Sequence, residues 1–111
     1  MSDEFPMEID CRSVLEKLST ETFLLIDCRE PDEYEIARIE GAQLVPMSQI
    51  AGSLDRLAVH RESHVVVHCH HGGRSLKVAT WLREQGFAQA QSMAGGIDRW
   101  ASEIDASVPR Y

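Results

Sequence analysis

In the segment His68-Cys69-His70-His71-Gly72-Gly73-Arg74-Ser75-Leu76, a strand pattern ends and a helix pattern begins. Residues 64–67 before it are mostly β-branched, and the residues after it place apolar side chains at helical spacing. Four residues separate Cys69 from Arg74, so the loop must curl around the cysteine sulfur. Sites in open α/β sheets form at the carboxyl ends of strands. The stretch therefore predicts a strand, a helix and a site on the loop between them.

The rest of the chain alternates strand and helix patterns, which predicts an α/β fold with a mainly parallel central sheet and helices on both faces. The strand candidates are residues 23–28 and, more weakly, those near 8–9, 43–45 and 90–92. Helices are expected around Val14 to Leu18, from Pro31 through Ile36, around Ile50 to Leu57, from the loop to a stop at Gly86, and around Ile97 to Trp100. In the helix after the loop, the spacing of Leu76, Ala79 and Leu82 predicts a buried stripe.

Composition fits one soluble domain: the chain has 111 residues, 43% of them hydrophobic, and a formal net charge of −7. We expect a single domain over residues 1–111, with a core over about 8–102 and a tail over 103–111. The acidic balance disfavours nucleic acid and anionic membrane surfaces as partners. No apolar run reaches the length of a membrane span, and residues 1–6 do not form a secretory signal, so a cytoplasmic location is expected.

The chain has three cysteines, Cys11, Cys28 and Cys69. This number is odd and small, so it does not fit a disulfide framework. In a cytosolic setting their thiols stay reduced, and one of them is free to be chemically active. Cys28 is the last residue of the strand pattern over residues 23–28 and has two interpretations: it reaches Cys69 as a resolving thiol, or it fills the core.

The loop after Cys69 has the composition of an anion cradle. Gly72 and Gly73 allow positive φ, which turns backbone N–H groups inward, and the helix start adds unpaired amides and partial positive charge. Such surroundings lower the pKa of a thiol and make its thiolate available near neutral pH. Arg74 supplies a permanent cation for an oxyanion, and the Ser75 hydroxyl is expected to bond to backbone or to the thiolate. The alternative is an inert, buried cysteine followed by an ordinary glycine turn.

Other polar residues near the loop have more than one interpretation. His70 and His71 are expected to tune the thiolate or meet the substrate; a shared metal ion is disfavoured, because adjacent strand residues face opposite ways and no zinc-finger spacing is present. Asp27 and Arg29 end the neighbouring strand and either orient the site or form a structural ion pair or turn cap.

Four segments of the chain resemble the rhodanese family. Residues 69–75 resemble its active-site loop, and residues 27–34, Asp-Cys-Arg-Glu-Pro-Asp-Glu-Tyr, are similar to its Asp-Val-Arg-Glu-Pro-x-Glu-Tyr segment. Residues 39–42, Ile-Glu-Gly-Ala, and 95–100, Gly-Gly-Ile-Asp-Arg-Trp, are similar to two further family segments. The resemblance extends from Glu8 to Trp100, and the tail also resembles rhodanese domains fused behind adenylating enzymes of sulfur-dependent cofactor synthesis.

This resemblance implies a rhodanese-type fold and a sulfurtransferase. The Cys69 thiolate would attack the outer sulfur of a small anionic donor such as thiosulfate, sulfite would leave, and a Cys69 persulfide would remain. A thiol, a protein or cyanide would then accept the sulfur. The resemblance implies that the donor is bound by the residues around the sulfur, namely His70, His71, Gly72, Gly73, Arg74 and Ser75. No cofactor and no metal ion is expected.

The chain departs from the family pattern at a few positions. Ala37 and Arg38 stand where Gly and His are usual, and Cys28 stands where Val is usual. His70 and His71 occupy loop positions where many thiosulfate-using members have a basic residue, so neutral imidazoles would give the loop less positive potential.

Two rival functions remain open at this point. The first is a cysteine-based phosphatase or arsenate reductase of related loop design, and the second is a non-catalytic partner-binding module or a stoichiometric sulfur carrier. Cysteine phosphatases that resemble this fold use five residues between cysteine and arginine, whereas four are present here. The shorter ring of amides favours a single sulfur atom over a phosphoryl group.

Overall fold

The computed structural model describes residues 6–20 and 23–111, and within them five parallel strands form one sheet in the order β1-β5-β4-β2-β3. The strands are β1 (Glu8–Ile9), β2 (Leu24–Asp27), β3 (Gln43–Leu44), β4 (Val65–His68) and β5 (Ala90–Met93). The predicted parallel α/β fold is confirmed. The acidic segment used to argue against a secretory signal lies, apart from Pro6, outside the described residues.

Among the described residues, five α-helices connect or follow these strands. They are α1 (Cys11–Thr20), α2 (Pro31–Ile36), α3 (Leu54–Leu57), α4 (Gly73–Glu84) and α5 (Gly96–Glu103). The prediction that Pro31 opens a helix ending near Ile36 is confirmed, and so is the stop of α4 before Gly86, which has a φ of +100°.

The segment from Met47 to His60 corrects the prediction of one helix around Ile50 to Leu57. It winds as three 3₁₀ turns, over Met47–Gln49, Ala51–Ser53 and Ala58–His60, around the single α turn of α3. Gly and Ser have low helix propensity, and Ser53 adopts φ −100° and ψ 0°, which interrupts the helix.

Both faces of the sheet are covered, because the central strands alternate between two cores. Val65 and Val67 of β4 point into a core closed by α3 and α4, while Val66 points into one closed by α1 and α5. In α4 the inward residues include Val78, Ala79 and Leu82. The prediction that Leu76 belongs to this stripe is wrong, since Leu76 is 37% exposed: the first turn of α4 instead points Ser75 inward.

Asp27 and Arg29 form a buried ion pair at the carboxyl end of β2, and both side chains have no exposed surface. One carboxylate oxygen of Asp27 accepts bonds from the Arg29 backbone N–H at 3.0 Å and from its Nε at 2.9 Å. The Arg29 guanidinium also donates to the carbonyls of Ala37 at 2.6 Å and Glu33 at 3.2 Å. The pair therefore ties the end of β2 to the middle and the C-terminal end of α2.

Replacing Arg29 with Met tests the importance of this pair. We expect the free energy of unfolding to fall by about 3–5 kcal/mol, because Asp27 and two carbonyl groups lose a buried partner. The measurement is urea denaturation, with Arg110→Met as the matched control: Arg110 pairs with Asp98 at the surface, and its loss should cost no more than about 1 kcal/mol. Equal losses in the two variants would contradict a structural role for the buried pair.

Candidate active site

Cys69 lies directly after β4, is 1% exposed, and its sulfur is surrounded by hydrogen-bond donors. The backbone N–H groups of Gly72 and Ser75 donate to Sγ at 3.1 Å and 3.3 Å, and the Ser75 Oγ lies 3.5 Å from Sγ. Ser75 Oγ is in turn 2.7 Å from Ser92 Oγ at the end of β5. The expected cradle of amides around the cysteine sulfur is therefore present in the geometry.

Glycines on two elements make this close approach possible. Gly72 has a φ of +110°, and a side chain on it would press against the backbone nitrogen of Gly95 at 3.3 Å. A side chain on Gly96 would overlap the carbonyl oxygen of Cys69 at 2.5 Å. The expectation of positive φ at Gly73 is wrong, since Gly73 already belongs to the first turn of α4.

The donors around Cys69 hold its pKa well below that of an ordinary thiol, at about 4. The largest cause is a hydrogen bond from the Cys28 thiol, followed by an opposing effect of burial and then by the Ser75 hydroxyl and the Ser75 and Gly72 amides. The pKa of Cys28 moves in the opposite direction, because its thiol bonds to the Cys69 sulfur and is itself buried. Cys28 is thus a donor to the site as well as a core residue.

Arg74 is engaged by a carboxylate that the sequence analysis did not single out. Its Nη1 and Nη2 donate to the two oxygens of Glu33 at 2.7 Å and 2.9 Å, and this pair holds the start of α4 against α2. Arg74 lowers the pKa of Glu33 to about 2. The charge of Arg74 is therefore compensated at the loop. Glu33 lies in the family-like segment of residues 27–34, which was the one available signal for it.

Aromatic rings line the rim of the loop. The His70 ring stacks on His71 at 3.9 Å between centroids, and on Tyr111 at 3.9 Å with only 8° between the planes. The Tyr111 hydroxyl lies 2.8 Å from Arg29 Nη1 and 3.0 Å from a Glu33 carboxylate oxygen. Tyr111, another residue not predicted as part of the site, thereby connects the rim to the buried ion pair.

The argument that His70 and His71 must face opposite ways is wrong, because β4 ends at His68 and strand alternation no longer applies. Their ring nitrogens and an oxygen of Asp98 lie within 4.8 Å of one another. The Asp98 carboxylate is already engaged by Arg110, which donates to its two oxygens at 3.1 Å and 3.2 Å.

The third cysteine lies apart from this site. Cys11 belongs to the core on the α1 and α5 side of the sheet, where its sulfur contacts the Ala94 and Gly96 carbonyls at 3.8 Å and 4.0 Å. Burial raises the pKa of the Cys11 thiol to about 11. Carbonyl oxygens are acceptors that disfavour a thiolate, so Cys11 provides an internal contrast to Cys69.

Comparison with known proteins identifies relatives that match most of this chain. The family model for the Rhodanese-like domain matches residues 10–103. The chain is 38% identical over 89 residues to the Rhodanese-like/PpiC domain-containing protein 12, chloroplastic, of Arabidopsis thaliana, which covers 78% of this chain and 30% of that protein. It is 29% identical over 102 residues to thiosulfate sulfurtransferase GlpE of Pseudoalteromonas translucida, covering 92% of this chain and 95% of that protein.

A solved structure agrees with these sequence matches. The human single-domain sulfurtransferase TSTD1 superposes with a TM-score of 0.78 at 22% identity, covering 88% of this chain and 97% of that one. The chain spans less than a third of the length of the Arabidopsis relative, at 30%, and nearly the full length of GlpE, at 95%. Among the described residues, no helix is long and apolar enough to cross a membrane.

Alkylation of Cys69 at different pH values tests the donor geometry. We expect the reaction rate to follow a midpoint near pH 4, as the pKa of about 4 requires, while Cys11 stays unreactive at neutral pH. Ser75→Ala removes the hydroxyl donor and should raise the midpoint by about 1–2 units, the equivalent of a charge-assisted bond of about 1.5–3 kcal/mol. Ser102→Ala, on the exposed side of α5, is the matched control and should leave it unchanged. A wild-type midpoint at or above about 8.5, the ordinary thiol value, would contradict the cradle.

Proposed function

The chain belongs to the rhodanese-like domain family, and we propose that it is a sulfurtransferase that holds sulfane sulfur on Cys69 as a persulfide. The observation that supports this best is the convergence of two backbone N–H donors, those of Gly72 and Ser75, on one sulfur atom, with the Ser75 hydroxyl 3.5 Å away. The similarity to the thiosulfate sulfurtransferase GlpE, which the chain covers almost completely, supports the same class of reaction.

In the first half-reaction, the Cys69 thiolate attacks the outer sulfur of a donor such as thiosulfate. A bond forms between Sγ and that sulfur, the sulfur–sulfur bond of the donor breaks, and sulfite leaves with the electron pair. The thiolate needs no separate base, because a pKa of about 4 keeps Cys69 ionised at neutral pH. The loop amides are then available to stabilise the negative charge of the persulfide.

In the second half-reaction, an external thiolate or cyanide attacks the outer sulfur and Cys69 departs as the leaving group. A thiol of low pKa leaves fast in such an exchange, so the same donors that activate Cys69 as a nucleophile also release the product. A protein acceptor would use the same step. The chemistry is identical for an enzyme and for a stoichiometric sulfur carrier, which differ in whether a second donor follows.

The intact mass of the protein after incubation with thiosulfate tests this function. We expect wild type to gain one sulfur atom that a reductant removes, Cys69→Ser to gain none, and Cys11→Ser to behave as wild type, because Cys11 lies in the opposite core. Sulfur found on Cys11, or an unchanged mass in all three proteins, would contradict the proposal.

Arg74 and Glu33 should have opposite effects on transfer from thiosulfate. Arg74→Ala removes a charge-assisted contact of about 1.5–3 kcal/mol, so kcat/KM should fall roughly 10- to 100-fold. Glu33→Gln keeps a side chain able to bond to the Glu30 backbone N–H, which Glu33 accepts at 3.1 Å, but it frees the charge of Arg74. We expect KM for thiosulfate to drop about fivefold in Glu33→Gln, the effect of about 1 kcal/mol.

The exposed Arg56 provides the control for these two variants, since Arg56→Ala should change neither constant. Equal kinetics of Arg74→Ala and wild type would show that Arg74 serves only to hold α4 against α2.

A further inference from the structure

Cys28 is a second thiol in the same core as Cys69, and the proposed half-reactions leave it unused. Strands β2 and β4 run parallel in a register that pairs Asp27 with His68. The Cys28 N–H donates to the His68 carbonyl at 3.0 Å, so Cys28 and Cys69 are the next two residues in register. Neighbouring strands lie about 4.7–4.9 Å apart, inside the range of about 4.4–6.8 Å between Cα atoms that a disulfide spans.

Both side chains also share one face of the sheet. Cys28 and Cys69 belong to the same core, together with Ile26 and Val67, which lie two residues earlier on each strand. Their exposed fractions are 0% and 1%. Cys28 lies beside Cys69 in this core on the side of β2, whereas the backbone N–H groups of Gly72 and Ser75 donate to the Cys69 sulfur from the loop. The Cys69 sulfur is thus flanked by a thiol on one side and by N–H hydrogen-bond donors of the loop on the other.

We propose that Cys28 is a resolving thiol that discharges the Cys69 persulfide and releases sulfide. The inference rests on the proposed function, since it requires sulfur to be loaded on Cys69. It adds a second reaction by which sulfur leaves Cys69, and this reaction needs no external acceptor at the transfer step.

The step balances within the site. The Cys28 sulfur attacks Sγ of Cys69, a bond forms between the two cysteine sulfurs, and the bond from Cys69 Sγ to the outer sulfur breaks. The outer sulfur leaves with the electron pair and takes the proton of the Cys28 thiol, so the product is hydrosulfide. The sulfane sulfur is reduced to sulfide while the Cys28 sulfur is oxidised, and an external thiol later reduces the Cys28–Cys69 disulfide.

The Cys28 thiol must lose its proton before its sulfur can attack, because the thiolate and not the thiol is the nucleophile. Its pKa is raised by the bond to Cys69 and by burial, so the proton stays on the Cys28 sulfur while Cys69 is a thiolate. In the persulfide the charge lies on the outer sulfur, which accepts the proton of the Cys28 thiol. The Cys28 thiolate then attacks Sγ of Cys69, and the protonated outer sulfur leaves as hydrosulfide. Cys11 has no such access, because it faces the other core.

The test follows the fate of the loaded sulfur without any added thiol or oxygen. Reduced wild type, Cys28→Val, Cys28→Ser and Cys11→Ser are each given one equivalent of thiosulfate, and intact mass, peptide maps and free sulfide are recorded over time. For wild type and Cys11→Ser we expect the adduct to decay into a protein with a Cys28–Cys69 disulfide, with one sulfide released per disulfide. Both Cys28 variants should keep the adduct at least about tenfold longer, because the attack within the site is lost.

Two outcomes separate this inference from the function on which it rests. If the adduct forms and decays at the same rate in wild type and in the Cys28 variants, or if sulfide appears without the disulfide, the resolving role is overturned and the sulfurtransferase stands. If no protein forms the adduct, the sulfurtransferase itself fails. Cys28→Ser keeps the size and hydrogen bonding of the thiol, so the comparison remains valid should Cys28→Val fold poorly.

Discussion

The hydrogen bonds that converge on the Cys69 sulfur are the interaction on which the rest of the site depends. Burial alone raises the pKa of a thiol, as at Cys11, where the pKa reaches about 11. At Cys69 the same unfavourable effect is outweighed by donors from Cys28, Ser75 and Gly72, and the pKa falls to about 4. The two cysteines are equally buried at 1% exposure, so the donors around the sulfur account for the difference between their pKa values.

The fold maintains these donors by fixing the loop from both faces of the sheet. On one side, the loop continues directly into α4, which packs into the core shared with Cys69. On the other side, α5 begins against the loop, and the N–H groups of Ile97 and Asp98 donate to the carbonyls of Cys69 and His70 at 2.8 Å and 3.0 Å. The cradle therefore forms where two helices on opposite faces meet one strand end, and this places the candidate site at the carboxyl edge of the sheet.

Local patterns were enough to predict the sheet, the loop and the donors that come from the loop itself. The β-branched run before Cys69, the glycine at position 72 and the Ser75 hydroxyl all act over a few residues, so their roles can be argued from spacing. The contacts that sequence reasoning missed join distant parts of the chain, such as the Arg74–Glu33 pair and the stacking of Tyr111 on His70. Their side chains carry no periodic signal, and the exposure of Leu76 likewise depends on how α4 is rotated by its own first turn.

A high-resolution crystal structure of the protein soaked with a sulfane sulfur donor would show whether Cys69 holds the sulfur. We expect one additional atom about 2 Å from Sγ of Cys69, enclosed by the loop of residues 70–75 and within hydrogen-bond distance of its amides. Cys69 without added density, with the sulfur bound to Cys11 or with the intact donor held elsewhere on the surface, would contradict a sulfurtransferase built around this loop.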